Sequence, residues 1–303
     1  MLIKPLGVLP NGELRQLRDD LTRKRERDNL ENLWARFEPY ADSHFINEIS
    51  SESMSKFQSR FWEMYLSATC LELGLDLRSR HELGKEGPDI CIVTSETNIW
   101  IEAIASGADF FFYTGADDGC EPIDESAILR YCGAITEKFR KYNGYLKNGI
   151  VLNSEPYIIA VNGFHIPFSI SGNTSSNMLP NIIKAVAPFG DYQVILDRDA
   201  KQIIKTGYSY RDKIVKPSGG NVPTNIFGNP EYAGISAILF SNIGISNLPD
   251  KCGDDFLFFR NPMAINPLNA GWLKVGVEYW QEGNKLFKKR QEAVKNNLSD
   301  NNS

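Results

Sequence analysis

The 303-residue sequence has few of the residues from which metal centres and nucleophilic triads are commonly built. Its three histidines, at positions 44, 81 and 165, lie too far apart in sequence to form a local metal motif or a recognisable Ser-His-Asp arrangement. The five cysteines are odd in number and contain no Cys-x-x-Cys pair, which excludes a disulfide framework and argues against a zinc site. Any metal must therefore be held by carboxylates.

Long apolar runs and an excess of positive charge are also missing. No stretch approaches the roughly 20 residues of a membrane-spanning helix, and the apolar run in the opening MLIKPLGVLPNG is too short for a signal peptide. The formal net charge of −5 argues against nucleic-acid binding through overall charge, although a local basic channel is compatible with it. We therefore expect a cytoplasmic protein that does not interact with a membrane.

The order of predicted elements favours an α/β fold in which helices flank a mixed sheet. Apolar periodicity predicts a helix from about Met54 to Leu73, covered on both sides, and another from about Asp124 to Leu146. β-branched and alternating runs predict strands between and after these helices. The strands closest to the chemistry are Ile90–Val93, Ile99–Ala105 and Tyr157–Val161.

Four segments are expected along the chain. Residues 1–50 form an N-terminal helical segment, and residues 51–163 form the α/β core. Residues 164–296 form a β-rich extension that continues the same sheet and ends in a helix from about Val275 to Lys295, packed on the core. The polar residues 297–303 are expected to be disordered.

Two carboxylates on adjacent predicted strands carry the strongest chemical indication. If residues 95–98 form a four-residue hairpin loop, Cys91 lies opposite Glu102, and Asp89 projects from the same face as Glu102. Their α-carbons would then be about 7 to 8 Å apart, close enough for the side chains to converge. Two converging carboxylates repel unless a cation lies between them, and oxygen ligands suit Mg²⁺ or Mn²⁺.

An alternative interpretation needs no metal. Asp89 can cap a turn after Pro88, and Glu102 can pair with a lysine or lie at a sheet edge. Against this stands the apolar sequence around Glu102, since an unpaired charge in such surroundings is costly to bury.

These residues resemble the PD-(D/E)XK nuclease superfamily, which has the restriction-endonuclease-like fold. The resemblance consists of a helix with an inward Glu63, the pair Pro88-Asp89, Glu102 on the next strand, and then a helix and a strand. It implies that Asp89 and Glu102 bind a catalytic Mg²⁺ or Mn²⁺, that Glu63 joins the site, and that the substrate is nucleic acid, expected to be DNA. The resemblance covers residues from about Met54 to Asn162.

One position departs from the family pattern, because Ile104 stands where the superfamily has a lysine two residues after the acidic residue. A lysine on the following helix can replace it. Lys138 lies about 80° from the centre of that helix's apolar stripe and can reach the site along apolar surface, whereas Lys141, at about 140°, is expected to point to water. Lys138 is therefore the candidate for the missing charge.

Three functions remain open from the sequence. The first is a metal-dependent endonuclease that uses Asp89, Glu102, Lys138 and Glu63. The second, suggested by Ile104, is an inactive nuclease-like module that binds nucleic acid or takes part in assembly. The third is a glycosidase with two catalytic carboxylates. The basic stretch from Arg198 to Lys216 is either a groove for the nucleic-acid backbone or an exposed hairpin.

Overall fold

The protein is an α/β structure with one large mixed sheet flanked by helices. The computed structural model describes residues 1–4, 8–83, 86–106, 123–166, 178–197, 199, 201–216 and 219–291. The large sheet has the strand order β1-β2-β3-β4-β9-β10-β11-β12. Strand β4 lies between β3 and β9 and is parallel to both, whereas β2 and β3 form an antiparallel hairpin.

The bounds of the elements in this part of the chain are as follows. The α-helices are α1 (Gly12–Asp19), α2 (Lys24–Phe37), α3 (Phe45–Ile49), α4 (Met54–Glu72), α5 (Arg80–Leu83), α6 (Ile123–Lys147) and α7 (Asn181–Val186). The first six strands are β1 (Asp76–Leu77), β2 (Ile90–Val93), β3 (Asn98–Ala105), β4 (Tyr157–Asn162), β5 (Phe189–Asp197) and β6 (Gln202–Tyr210). The others are β7 (Lys213–Val215), β8 (Asn221–Pro223), β9 (Ala237–Ser241), β10 (Leu257–Arg260), β11 (Val277–Glu282) and β12 (Lys285–Arg290).

The sheet separates two apolar cores. Helices α1 to α4 pack on one face, where α4 contributes Phe61 and Trp62 and the β2–β3 hairpin contributes Ile92 and Ile101. Helices α6 and α7 pack on the other face, against side chains such as Trp100. Every residue of β4 is buried, which agrees with its position between two parallel strands.

The β2–β3 hairpin is tighter than the sequence predicted. Cys91 pairs with Trp100 rather than with Glu102, and the backbone N–H of Thr94 donates to the carbonyl of Thr97, so the loop contains only two residues. The predicted register is therefore wrong by two positions. Because side chains alternate with a period of two, a shift of two leaves Asp89 and Glu102 on the same face. The new register sets them opposite one another across the hairpin.

The predicted C-terminal helix is wrong, because the sequence from Val277 to Arg290 forms the antiparallel hairpin β11–β12. Glu282 pairs with Lys285, which leaves Gly283 and Asn284 as a two-residue loop, and Gly283 has a φ of 57°. A Gly-Asn pair between alternating strands is a signature of a hairpin rather than a helix. The positions expected in the disordered tail, 297–303, lie outside the described residues.

The basic stretch lies partly in an exposed ribbon, β5–β6, and partly in the β7–β8 pair, and neither belongs to the large sheet. Strands β5 and β6 pair only with one another in the described part of the chain. The ribbon carries the expected Lys201 and Lys205, together with exposed aliphatic side chains; Arg198 lies outside the described residues. The exposed aliphatic residues are Val194, Ile195, Leu196, Ile203 and Ile204.

The N-terminal segment is helical as expected. Helices α1 and α2 follow one another there, with a 3₁₀ turn at Leu21–Arg23 between them. Within the described residues, no helix has the length and apolar character needed to cross a membrane.

Candidate functional site

A cleft of about 1000 Å³ opens beside the end of strand β3. Its walls come from the segment around α3, from α4, from α5 and from α6, and its floor includes Ala103, Ile104 and Ala105 of β3. Asp89, Glu63 and Lys138 all line it. The fold therefore brings these three predicted site residues to one cavity. Ile104 also lines the cavity, so the position at which the family pattern has a lysine is uncharged here.

Glu102 is not among the residues that line the cleft; it lies buried beside it, on an interior strand of the sheet. Its side chain is 2% exposed, and the Nζ of Lys138 lies 2.8 Å from its Oε1 atom. The hydroxyl of Tyr145 donates to Oε2 over 3.3 Å. The alternative prediction that Glu102 pairs with a lysine is thus confirmed as a contact, whereas its location at a sheet edge is not.

Helix α6 presents three polar side chains to Glu102. Lys138, Lys141 and Tyr145 are spaced three and four residues apart, which sets them on one side of the helix. Lys141 was expected to point to water, but its Nζ lies 3.4 Å from Oε1 of Glu102, with the side chain 48% exposed. Its long stem bends back from the helix margin toward the charge.

Asp89 immediately precedes β2 and is held at both oxygens. Oδ2 accepts the backbone N–H of Ala103 over 2.7 Å, which joins Asp89 to the residue after Glu102. Oδ1 accepts from Nη2 of Arg80 over 3.3 Å. Asp89 therefore does more than cap a turn, because its carboxylate faces the cleft between α5 and β3.

Glu63 enters the cleft from α4, on the other side of the sheet. It is 5% exposed, and its Oε2 accepts from Nη1 of Arg60 over 2.7 Å. Arg60 also contacts Asp42, over 3.0 Å, and Glu48, over 2.6 Å. The inward direction expected for Glu63 is observed, and a guanidinium holds the carboxylate in place.

The three carboxylates influence one another electrostatically. Burial, together with repulsion from Asp89, raises the pKa of Glu63 to about 7. Burial and Asp89 also raise the pKa of Glu102, although Lys138 and Lys141 oppose the shift. Burial disfavours the charged form of Lys138, but the carboxylates of Glu102 and Asp89 outweigh burial and raise its pKa. Burial and the charge of Asp89 therefore both oppose ionisation of Glu63 and Glu102.

A divalent cation in this cleft would have few protein ligands. No group of three or more His, Cys, Asp or Glu side chains in the described part of the chain is close enough to form a metal cage. Mg²⁺, however, is usually held by one or two carboxylates, with waters and substrate phosphates completing its shell. Asp89 lines the cleft, whereas Glu102 is 2% exposed and accepts hydrogen bonds at both of its oxygens.

The sequence did not indicate two residues that contact the predicted carboxylates. They are Arg80, which begins the short helix α5 and contacts Asp89, and Tyr145, which contacts Glu102. The spacing of Tyr145 from Lys138 and Lys141 on one helix face was the available indication. Two features considered in the sequence lie elsewhere: the β5–β6 ribbon does not line the cleft, and neither does His165.

Comparisons of the chain with models of known protein families, with curated proteins and with solved structures found no match.

Proposed function

We propose that the protein is a metal-dependent phosphodiesterase that cleaves nucleic acid, with DNA as the expected substrate and a restriction-endonuclease-like core. One observation carries the proposal. Asp89 lines the cleft and, when the β2–β3 register is extended by one residue, lies opposite Glu102, whose Oε1 atom is 2.8 Å from the ammonium of Lys138. Carboxylates can hold a divalent ion for phosphodiester hydrolysis, and a lysine adds positive charge beside them.

The order of elements around the site supports the same proposal. Helix α4, the β2–β3 hairpin, helix α6 and the parallel strand β4 follow one another in the order that the PD-(D/E)XK resemblance implies. Glu63 comes from the first of these helices, as the resemblance also implies. Glu63 and Glu102 therefore lie on the elements that the resemblance implies, and Asp89 lies immediately before β2.

Asp89 and Glu102 are the proposed ligands of Mg²⁺ or Mn²⁺, with Glu63 as a third carboxylate at the same cleft. When bound, such an ion would neutralise phosphate charge and make a coordinated water more acidic. The remaining chemistry belongs to the chain. Lys138 fixes one oxygen of Glu102 and places positive charge beside the reacting phosphate, and Tyr145 fixes the other oxygen. Lys138 thereby supplies from α6 the charge that Ile104 cannot supply from β3.

The test is nicking of supercoiled plasmid DNA with Mg²⁺ or Mn²⁺, alongside Mn²⁺ binding by calorimetry. Asp89→Asn and Glu102→Gln should each reduce cleavage at least a hundredfold and weaken Mn²⁺ binding. Lys138→Met should remove cleavage but retain Mn²⁺ binding. Lys147→Met is the matched control, since Lys147 is an exposed lysine in the last turn of the same helix; its cleavage should be unchanged.

Four other outcomes would contradict the proposal. Full cleavage by Asp89→Asn or Glu102→Gln would remove the proposed ligands, and full cleavage by Lys138→Met would remove the lysine from the mechanism. A protein that binds Mn²⁺ and DNA but never cleaves would be the inactive nucleic-acid-binding module. Hydrolysis of a glycoside that continues in EDTA would favour the two-carboxylate glycosidase, because that chemistry needs no metal.

A further inference from the structure

Arg80 makes few hydrogen bonds for a guanidinium that lines a charged cleft. Its side chain is 14% exposed, and its ion pair with Asp89 spans 3.3 Å. Charge-assisted hydrogen bonds are usually about 2.7 to 2.9 Å long. Arginine has five N–H donors, yet within the described residues this contact is the single side-chain hydrogen bond that Arg80 makes. Several of its donors are therefore available in the cleft.

The other cationic side chains of the cleft wall form closer contacts with carboxylates. Arg60 lies among three carboxylates, those of Asp42, Glu48 and Glu63. Lys138 donates to the buried Glu102 over 2.8 Å. Of the arginines and lysines that line the described cleft, Arg80 is thus the one that can change partner at the lowest electrostatic cost.

A phosphate that enters this cleft meets an excess of acidic groups. Five carboxylates line it, from Asp42, Glu48, Glu63, Asp89 and Glu137, against the charges of Arg60, Arg80 and Lys138. A phosphodiester therefore needs a cation that is not already neutralised by a carboxylate. The planar guanidinium fork matches two phosphate oxygens at once, which a lysine ammonium does not.

We propose that Arg80 is the phosphate-binding residue of the cleft and that it exchanges partners. In the metal-free protein its guanidinium holds Asp89, and with nucleic acid bound it turns to a backbone phosphate. The inference rests on the proposed function, since it assumes that nucleic acid occupies the cleft. It also requires that Arg80 competes with a divalent cation for Oδ1 of Asp89.

These two roles give Arg80→Ala effects of opposite sign. Loss of the guanidinium should weaken binding of a fluorescein-labelled 12-base-pair DNA duplex in EDTA by about tenfold to a hundredfold. The same variant should bind Mn²⁺ several-fold more tightly, because the competitor for Asp89 is gone. Fluorescence anisotropy and calorimetry measure the two effects, and neither depends on cleavage.

Two matched variants separate the proposal from a general charge effect. Arg78→Ala removes a positive charge two residues away, from a position that does not line the cleft; it should change DNA and Mn²⁺ binding less than twofold. Arg80→Lys keeps the charge but loses the fork, so its DNA affinity should lie between those of the wild type and Arg80→Ala. Arg80→Lys also keeps a long aliphatic side chain at this position, so it provides the test if the alanine variant does not fold.

The results that overturn the inference differ from those that overturn the proposed function. If Arg80→Ala binds the duplex as tightly as the wild type, Arg80 is only a clamp on Asp89, and the nuclease proposal stands. Equal effects of Arg78→Ala and Arg80→Ala would likewise reject a specific phosphate contact. If the wild-type protein binds neither duplex nor Mn²⁺, both proposals fail together.

Discussion

Glu102 is the residue at which burial and charge conflict most strongly. The carboxylate is almost inaccessible, and it is compensated by the ammonium of Lys138, which is itself 9% exposed. A buried pair of this kind is expensive to break from one side, because the remaining charge has neither solvent nor partner. The two residues are therefore coupled in stability as well as in the proposed chemistry.

We expect Glu102→Ala to destabilise the protein by about 3 to 5 kcal/mol, since it leaves Lys138 buried without its partner. If repulsion between Asp89 and Glu102 were the larger effect, Glu102→Ala would instead stabilise the protein. Asp89→Ala should cost about 1 to 2 kcal/mol, mainly because the N–H of Ala103 loses its acceptor. Urea denaturation without metal measures both. A more stable Glu102→Ala protein would show that repulsion outweighs the ion pair.

The sequence was sufficient to predict that Lys138 reaches the predicted carboxylates. It did not predict that Lys141 and Tyr145 also contact Glu102. Helical geometry set Lys138 at the margin of the packed face, and the contact with Glu102 was found there. The same geometry misplaced Lys141, because an angle on a helix wheel ignores the reach of a long side chain. Arg80 was beyond prediction, since its position depends on a short helix, α5, in sequence that reads as a strand.

At the scale of elements, the C-terminal hairpin depends on two glycines with different surroundings. Gly276, just before β11, has a φ of 72°, and an added Cβ would lie 2.2 Å from the carbonyl oxygen of Phe256. Gly283, in the β11–β12 loop, has a φ of 57°, and nothing lies within 4 Å of an added Cβ. Both positions strain an L-residue, but only the first also requires the backbone to move.

Gly283→Ala should therefore cost about 1 kcal/mol, which is the backbone strain alone. Gly276→Ala should cost at least about 3 kcal/mol, because the clash with Phe256 displaces β10 or β11. Urea midpoints of the two variants give the comparison. Equal losses of stability in the two variants would mean that the backbone just before β11 moves to accommodate the extra carbon.

Helix α4 is tied to the sheet by a half-buried carboxylate. Asp255 accepts hydrogen bonds from the hydroxyls of Tyr65, on α4, and Ser241, at the end of β9. Burial raises the pKa of Asp255 although both hydrogen bonds oppose the shift. A raised pKa in the folded state means that folding favours the protonated form, so ionisation of Asp255 lowers stability as the pH rises through the folded pKa.

Asp255→Asn removes that ionisation and keeps a side chain that can hydrogen-bond to both hydroxyls. Its stability relative to the wild type should therefore be higher at pH 7.5 than at pH 4.5. Urea denaturation at the two pH values measures this. If the stability difference between Asp255→Asn and the wild type does not change with pH, the raised pKa of Asp255 is contradicted.

At the scale of the whole molecule, the α/β architecture and the continuation of the sheet into the second half were predictable from the order of elements. Strands β9 to β12 extend the sheet that β1 to β4 begin. What the sequence did not indicate is which strands leave that sheet. The β5–β6 ribbon has ordinary strand composition, and only its pairing, visible in the described part of the fold, separates it from the strands of the large sheet.

The parallel pairing of β4 with β9 also has a consequence for the order of folding. The site residues and strands β1 to β4 precede Asn162, so they can collapse during synthesis before β9 has emerged. Until then, β4 has an unpaired backbone edge inside an apolar sheet, which is a template for aggregation. Closing the long connection between Asn162 and Ala237 is therefore the expected slow step, and the nascent chain is most vulnerable just before it.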